Sequence, residues 1–127
     1  MSGPRSLSLL PGRFVVCRFP PDEPLPAWLF HEGARVWSIT RTPSELSVVC
    51  DEDDVPPSVR PAPIRWRAYQ VEGPIPFEET GVIAGLSASL AGAGVPVFVI
   101  STHDTDLVLV PEEKLDAART ALRGRMR

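Results

Sequence analysis

The sequence predicts a mixed α+β fold, in which helices lie on one face of a sheet formed by strands and hairpins. β-rich runs alternate with segments of helical periodicity, and both halves of the chain follow the order strand, helix, strand, strand. Short polar turns join several of the runs. Strands that alternate with helices and also form hairpins are typical of the ferredoxin-like class.

Residues 1–60 are predicted to hold three strands and one short helix. The first strand ends at Pro20-Pro21, which cannot continue a sheet ladder, and Pro26 opens the short helix. A polar turn separates the last two strands, which are therefore expected to form a hairpin. The predicted elements are strand 13–19, helix 25–31, strand 34–40 and strand 45–50.

Residues 51–63 mark the boundary between the halves, because an acidic run and four prolines can neither bury apolar surface nor hold a long helix. We therefore predict two domains, residues 1–60 and 61–127. In the second domain, helical spacing predicts two helices, the last with an apolar stripe. The predicted elements are strand 64–72, helix 80–93, strands 95–102 and 107–110, and a helix that begins at Pro111 and carries Leu115, Ala118 and Leu122 on one side.

The two strands at 95–102 and 107–110 are apolar on both faces, although a single layer of helices covers only one face of a sheet. The opposite face therefore needs another cover. The other half of the chain or a second copy of it is expected to provide that cover.

The charge and composition disfavour several classes of partner. With 13 basic and 16 acidic side chains the formal net charge is -3, so no positive field attracts nucleic acid or an anionic membrane surface. Apolar stretches are too short for a membrane span or a signal-peptide core, so we expect a cytoplasmic protein. Cys17 and Cys50 lack metal-binding spacing and lie in apolar strands, which predicts buried free thiols.

The sequence offers little that could carry catalysis, and we expect no enzyme activity, metal or cofactor. Ser101, His103 and Asp106 are the residue types of a hydrolase triad, but they lie around one turn, whereas a triad needs groups that converge from well-placed elements. A minor enzyme built on Ser101 and His103 is the least favoured hypothesis. The acidic run 51–54 lacks the spaced oxygen ligands of cation sites and is interpreted as a solvated surface.

A strand-to-helix turn is the best candidate for a ligand site. Free backbone N–H groups and the positive end of the helix dipole can bind a carboxylate there, and Gly81 lets a ligand come close. The acids Glu79 and Asp106 offer partners for an ammonium group. The alternative is structural: Thr80 caps the helix, Glu79 favours its positive end and Asp106 stabilises the hairpin turn.

The residues around this turn resemble a known family. They resemble the ACT domains of the aspartokinase regulatory region and of CASTOR-type cytosolic arginine sensors. The resemblance lies in the stretch 77–84, the small-residue helix after it, Gly94-Val95-Pro96-Val97 and the run 100–110. The resemblance covers about residues 74–122, and the first half matches through its element order and the strand Trp37-Ser38-Ile39-Thr40. Because the resemblance to aspartokinase concerns regulation, it implies no phosphoryl transfer.

The resemblance implies a βαββαβ fold in each of two tandem ACT-like units, with an amino acid bound at the interface between units. By position, it implies a ligand-binding set of Glu79, Thr80, Gly81, Val82, Ile100, Ser101, Thr102 and Asp106. His103 stands where an aromatic residue is common in the family. The second unit lacks the family's closing strand, which residues 7–10 would supply within the chain or across a dimer.

Two hypotheses for the function follow. The first is a cytoplasmic, homodimeric regulatory protein that binds an amino acid and thereby changes its association with a protein partner. The second is an ACT-like structural or interaction module that dimerises and has lost its ligand pocket. A thermal-shift screen separates them, because a ligand that binds only the native state raises the melting temperature.

Overall fold

The computed structural model describes residues 6–73 and 81–123. Within these ranges the chain forms antiparallel strands, two α-helices and three short 3-10 helices. The strands are β1 (Leu7–Leu9), β2 (Phe14–Phe19), β3 (Trp37–Arg41), β4 (Leu46–Asp51), β5 (Trp66–Val71), β6 (Phe98–Ser101) and β7 (Asp106–Pro111). The α-helices are α1 (Val82–Gly92) and α2 (Leu115–Ala121), and the 3-10 helices are Ala27–Leu29, Glu52–Asp54 and Glu112–Lys114.

The chain divides into two compact units. The N-terminal unit comprises Gly12–Arg65, and the C-terminal unit comprises Met1–Pro11 together with Trp66–Arg127. The strand β1 therefore belongs with the second half of the chain. The two units meet in sequence between residues 65 and 66, a few residues after the boundary that composition indicated.

The N-terminal unit is a three-stranded antiparallel sheet in the order β3-β4-β2. The predicted hairpin is confirmed: β3 and β4 pair from Trp37 opposite Cys50 to Arg41 opposite Leu46. Its core, which the 3-10 helix Ala27–Leu29 helps to cover, consists of Val15, Cys17, Leu29, Val48 and Cys50.

The helix predicted at residues 25–31 is a 3-10 helix of three residues, Ala27–Leu29. Its N-cap residue Pro26 has an extended backbone, and Phe30, with φ of −93° and ψ of 69°, has already left the helical conformation, so three residues remain between them. The described part of this unit thus contains no α-helix. The tandem arrangement of ACT-like units stays a prediction.

Both cysteines of the N-terminal unit are free and buried, as predicted. Burial raises the pKa of the Cys50 thiol to about 12, and the neighbouring Cys17 and the carboxylate of Asp54 add to the shift. Burial also raises the pKa of Cys17. The thiols are therefore protonated, unreactive groups of the core at neutral pH.

The C-terminal unit is a four-stranded antiparallel sheet in which β5 pairs with β1 and β7, and β6 pairs with β7. Leu7 lies opposite Val71 and Leu9 opposite Tyr69. Of the two proposals for residues 7–10, pairing within the chain is the one that the structure shows. The predicted α+β class, with an antiparallel sheet and two helices, is confirmed.

Both helices pack on one face of this sheet. The predicted stripe Leu115, Ala118 and Leu122 is buried, as are Leu86 and Leu90 of α1. These side chains form one core with residues of β1, β5 and β7, namely Leu7, Tyr69, Val71, Val108 and Val110. Neither helix in the described ranges is long and apolar enough to cross a membrane.

The opposite face of the same sheet is only partly covered within this unit. Trp66 and Phe98 meet edge to face there, with ring centroids 4.9 Å apart. Leu109 is buried, whereas Ile100 of the edge strand β6 is half-buried. The prediction that a further surface covers β6 therefore remains a prediction.

Candidate functional site

The helix α1 begins at a glycine whose backbone is left-handed. Gly81 is the N-cap residue with φ of +89°, a conformation that L side chains rarely adopt, and its carbonyl accepts the N–H of Gly85 at 2.9 Å. No described atom lies within 4 Å of the place that a Cβ of Gly81 would take. Glycine has no side chain that could accept a hydrogen bond, so Gly81 does not cap the first N–H groups of α1 with a side chain.

Val82, the first residue of α1, is partly buried and packs against the core of the C-terminal unit. This packing fixes the start of the helix on the sheet, so the positive end of the helix dipole lies at Gly81. Two predicted site residues that precede Gly81 in the sequence, Glu79 and Thr80, lie outside the described residues and stay predictions.

The hairpin β6–β7 brings two other predicted site residues into contact. Ser101 and Asp106 are cross-strand partners, and the hydroxyl of Ser101 donates to Oδ1 of Asp106 at 2.6 Å. A hydrogen bond to a carboxylate is charge-assisted and short. It holds the carboxylate of Asp106 at the end of the sheet, and a carboxylate can accept more than one hydrogen bond.

The turn between these strands is closed by its own threonines. The N–H of Thr102 donates to the carbonyl of Thr105 at 2.8 Å, and the N–H of Thr105 donates to the hydroxyl of Thr102 at 3.2 Å. Side-chain hydroxyls that bond to nearby backbone stabilise such turns. Thr102, a predicted site residue, is thus exposed but structurally engaged.

The turn is also fixed to the end of β5. The buried hydroxyl of Thr105 donates to the carbonyl of Val71. Gly73 lies so close that a Cβ there would be 2.6 Å from the carbonyl oxygen of Asp104. Sequence reasoning did not single out Thr105 or Gly73, although the Thr-x-x-Thr spacing around a polar turn is a usable signal.

The strand pairing places the β6–β7 turn and the end of β5 at the same end of the sheet. Gln70, near the end of β5, lies opposite Leu107, so β5 ends where β7 begins, and β6 ends there too. In the order of the elements, α1 is the next one after β5, which ends at this end of the sheet. Of the predicted set, Ile100 lies on β6 opposite Leu107, and Ser101 and Asp106 complete the same hairpin.

The hydroxyl of Ser101 is not arranged as a nucleophile. Its single proton is directed to Asp106, and the imidazole Nδ1 of the exposed His103 contacts Oδ1 of Asp104 at 2.9 Å. A triad requires the serine proton to face the imidazole, with the acid behind it. The geometry therefore disfavours the minor-enzyme hypothesis.

Three of the four carboxylates of the acidic run have protein partners. Asp51 accepts the N–H of Asp53 at 2.9 Å, Glu52 pairs with Arg65, and Asp54 contacts Nε2 of His31 at 2.8 Å. In the described ranges, no group of three or more His, Cys, Asp or Glu side chains is placed to hold a metal ion. The run caps a 3-10 helix and ties together the loops of the N-terminal unit.

The fold and the hairpin site define the C-terminal unit as a small antiparallel α+β domain with a carboxylate at one sheet edge and a glycine-initiated helix. Residues 62–124 match the family model of the ACT domain. A second model, described as an N-terminal domain, matches residues 12–58. The chain therefore belongs to the ACT domain family through its second half, as the sequence resemblance indicated.

Relatives and solved structures agree with this assignment. Protein Atu0741 from Agobacterium tumefaciens is 33% identical, with 99% of this chain and 94% of that one covered and a TM-score of 0.86. The cytosolic arginine sensor for mTORC1 subunit 1 from Homo sapiens is 34% identical over 61 residues, which are 47% of this chain and 18% of the sensor. The present chain thus matches less than a fifth of that sensor's length.

The regulatory subunit of aspartate kinase from Thermus thermophilus, in its ligand-free form, shares the fold. Its TM-score is 0.60 at 16% identity, with 91% of each chain covered. The proteins similar to this chain thus include a sensor and a regulatory subunit.

Proposed function

We propose that this protein is a non-catalytic ACT-domain regulator that binds a free amino acid. The observation that carries the proposal is the Ser101–Asp106 pair, which holds a carboxylate at the end of the sheet where β5, the strand that precedes α1 in the chain, also ends. Membership of the ACT family, with an arginine sensor among the relatives, supports an amino acid as the ligand class.

The chemistry of a zwitterion fits the two parts of the site. The carboxylate of Asp106 would accept hydrogen bonds from the ligand's ammonium group, and the free N–H groups at the start of α1 would donate to its carboxylate. The left-handed Gly81 leaves room for a close approach of the ligand to the backbone. Each end of the ligand thus meets a partner of opposite charge.

The finer assignments follow the family resemblance. Glu79, Thr80, Gly81 and Val82 would contact the ligand from the turn, and a short stretch of β6 would line the other side, comprising Ile100, Ser101 and Thr102. The ligand would lie between ACT units in a homodimeric cytosolic protein. Its binding would change the association of this protein with a regulated partner.

Isothermal titration against the free amino acids tests the proposal. We expect at least one amino acid to bind the full chain, and Asp106→Asn to weaken it roughly 10- to 100-fold, since a hydrogen bond to a charged group contributes about 1.5–3 kcal/mol. Asp104→Asn is the matched control, because Asp104 is an exposed acid of the same turn. Glu79→Gln tests the second predicted acid in the same way.

Two results would overturn the proposal. One is the absence of binding by every amino acid. The other is equal weakening in the Asp106 and Asp104 variants, which would show that only overall charge matters.

One observation favours the second hypothesis, an interaction module. Phe30 and Trp37 of the N-terminal unit are 52% and 41% exposed and meet edge to face at 5.3 Å. Large exposed aromatic side chains are common where proteins associate. If the thermal-shift screen finds no ligand, light scattering with Trp37→Ser should show loss of self-association; an unchanged mass would exclude this surface as the dimer contact.

A further inference from the structure

Two buried hydrogen-bond donors in the C-terminal unit lack an acceptor among the residues that the structure describes. They are Nε of Arg67 and the hydroxyl of Tyr69, and neither has an acceptor among the described residues. Buried polar groups are nearly always hydrogen-bonded, because an unpaired one costs about 1–3 kcal/mol. Two such groups close together call for an explanation.

The two donors share one face of β5. Side chains alternate along a strand, so residues 67 and 69 both point to the side on which the helices pack. Tyr69 is fully buried in the core that also contains Ala118 and Leu122 of α2 and its C-terminal flank. The phenol therefore lies under this helix.

Arg119 of α2 adds a second cation. It follows the buried Ala118 in sequence, and its guanidinium lies close enough to interact with the phenol of Tyr69, as does that of Arg67. Half of the Arg119 side chain is exposed. Asp116 lies 3.9 Å from it, but its side chain is fully exposed and therefore a weak counter-charge.

Neither buried donor of this cluster has an acceptor in the described part of the chain. A guanidinium has five N–H donors and no acceptor, and a phenol whose oxygen faces guanidinium groups still has a proton to donate. A water molecule could take up hydrogen bonds but would leave two positive charges over a buried hydroxyl. An oxyanion supplies both the missing acceptor atoms and the missing negative charge, and guanidinium groups fit carboxylate and phosphate geometry.

We propose that Arg67, Tyr69 and Arg119 form a binding site for a small oxyanion, a carboxylate or a phosphate, between β5 and α2. The site shares no residue with the candidate amino-acid site at Gly81 and Asp106. The half-exposed Arg119 forms its outer wall, so the anion enters from the α2 side.

Thermal unfolding of the full chain in sodium phosphate and in sodium acetate, at constant ionic strength set with sodium chloride, tests this site. We expect the melting temperature to rise saturably with one of the two anions, since a ligand of the native state stabilises it by mass action. The anion with the lower half-saturating concentration identifies the group for which the site is built.

Two variants and a control make the test specific. Arg119→Gln should raise the half-saturating concentration roughly tenfold or more, and Tyr69→Phe should do the same while keeping the ring in the core. Arg123→Gln, an exposed cation near the end of α2, should leave the anion response unchanged.

The absence of a saturable response to either anion would overturn the proposal. An equal response in all variants would overturn it as well, because the salt effect would then be general.

Discussion

The hydroxyl of Thr105 fixes the β6–β7 turn to the end of β5, and we expect Thr105→Val to destabilise the C-terminal unit. Thr105 is only 9% exposed, and its hydroxyl donates to the carbonyl of Val71. Valine keeps the β-branched shape, so the substitution removes the hydrogen bond and little else. The turn would lose its link to the neighbouring strand.

The magnitude follows from two opposing terms. A buried carbonyl left without its donor costs about 1–3 kcal/mol, and the added methyl group recovers up to about 0.8 kcal/mol if it is fully buried. With a cost near the middle of that range, about 2 kcal/mol, we expect the free energy of unfolding to fall by about 1–2 kcal/mol. For a chain of 127 residues this corresponds to a decrease in Tm of roughly 3–10 °C.

Urea unfolding followed by circular dichroism measures the effect, and Thr105→Ser is the matched control because it keeps the hydroxyl. The serine variant should retain more stability than the valine variant. A valine variant within about 0.5 kcal/mol of the natural protein would refute the reasoning, and so would a serine variant that is the less stable of the two.

Further predictions concern close packing and buried thiols. Gly73→Ala should lower the free energy of unfolding by about 1–3 kcal/mol, since the new Cβ would meet the carbonyl oxygen of Asp104 at 2.6 Å. Gly92→Ala, with open space around its Cβ, should instead raise it by up to about 1 kcal/mol, and one denaturation series compares the two. Burial raises the pKa of Cys50 to about 12. The contribution of this protonated thiol to the free energy of unfolding should therefore be complete below pH 9 and decrease as the pH rises towards 12. Unfolding curves between pH 8 and 11 check this, and Cys50→Ala should flatten the decline.

Local pattern was sufficient for much of the C-terminal unit. The stripe Leu115, Ala118 and Leu122 follows the helical period, and all three side chains are buried. The place of β1 could not be derived in this way, because three residues carry little periodicity and their partner, β5, lies about 60 residues further along the chain. The helix predicted at residues 25–31 is longer than the 3-10 helix that forms, because the backbone of Phe30 leaves the helical conformation, which the local pattern does not reveal.

In the candidate site, too, the sequence predicts the contacts within one hairpin but not the contacts between distant segments. The contact of Ser101 with Asp106 follows from a hairpin that the sequence indicated, because a tight turn sets the register of its strands. The anchoring of Thr105 to Val71 joins residues 34 positions apart, and only the paired strands bring them together. The two donors on β5 that lack a described acceptor could not be predicted either, since they become buried only when α2 packs on the sheet.

A crystal structure of the protein with the amino acid that binds most tightly tests the central proposal most directly. We expect the ligand's ammonium group within hydrogen-bond distance of the Asp106 carboxylate and its carboxylate at the first N–H groups of α1, next to Gly81. A ligand bound elsewhere on the chain, with Asp106 still bonded to Ser101 and remote from it, would contradict the proposed site.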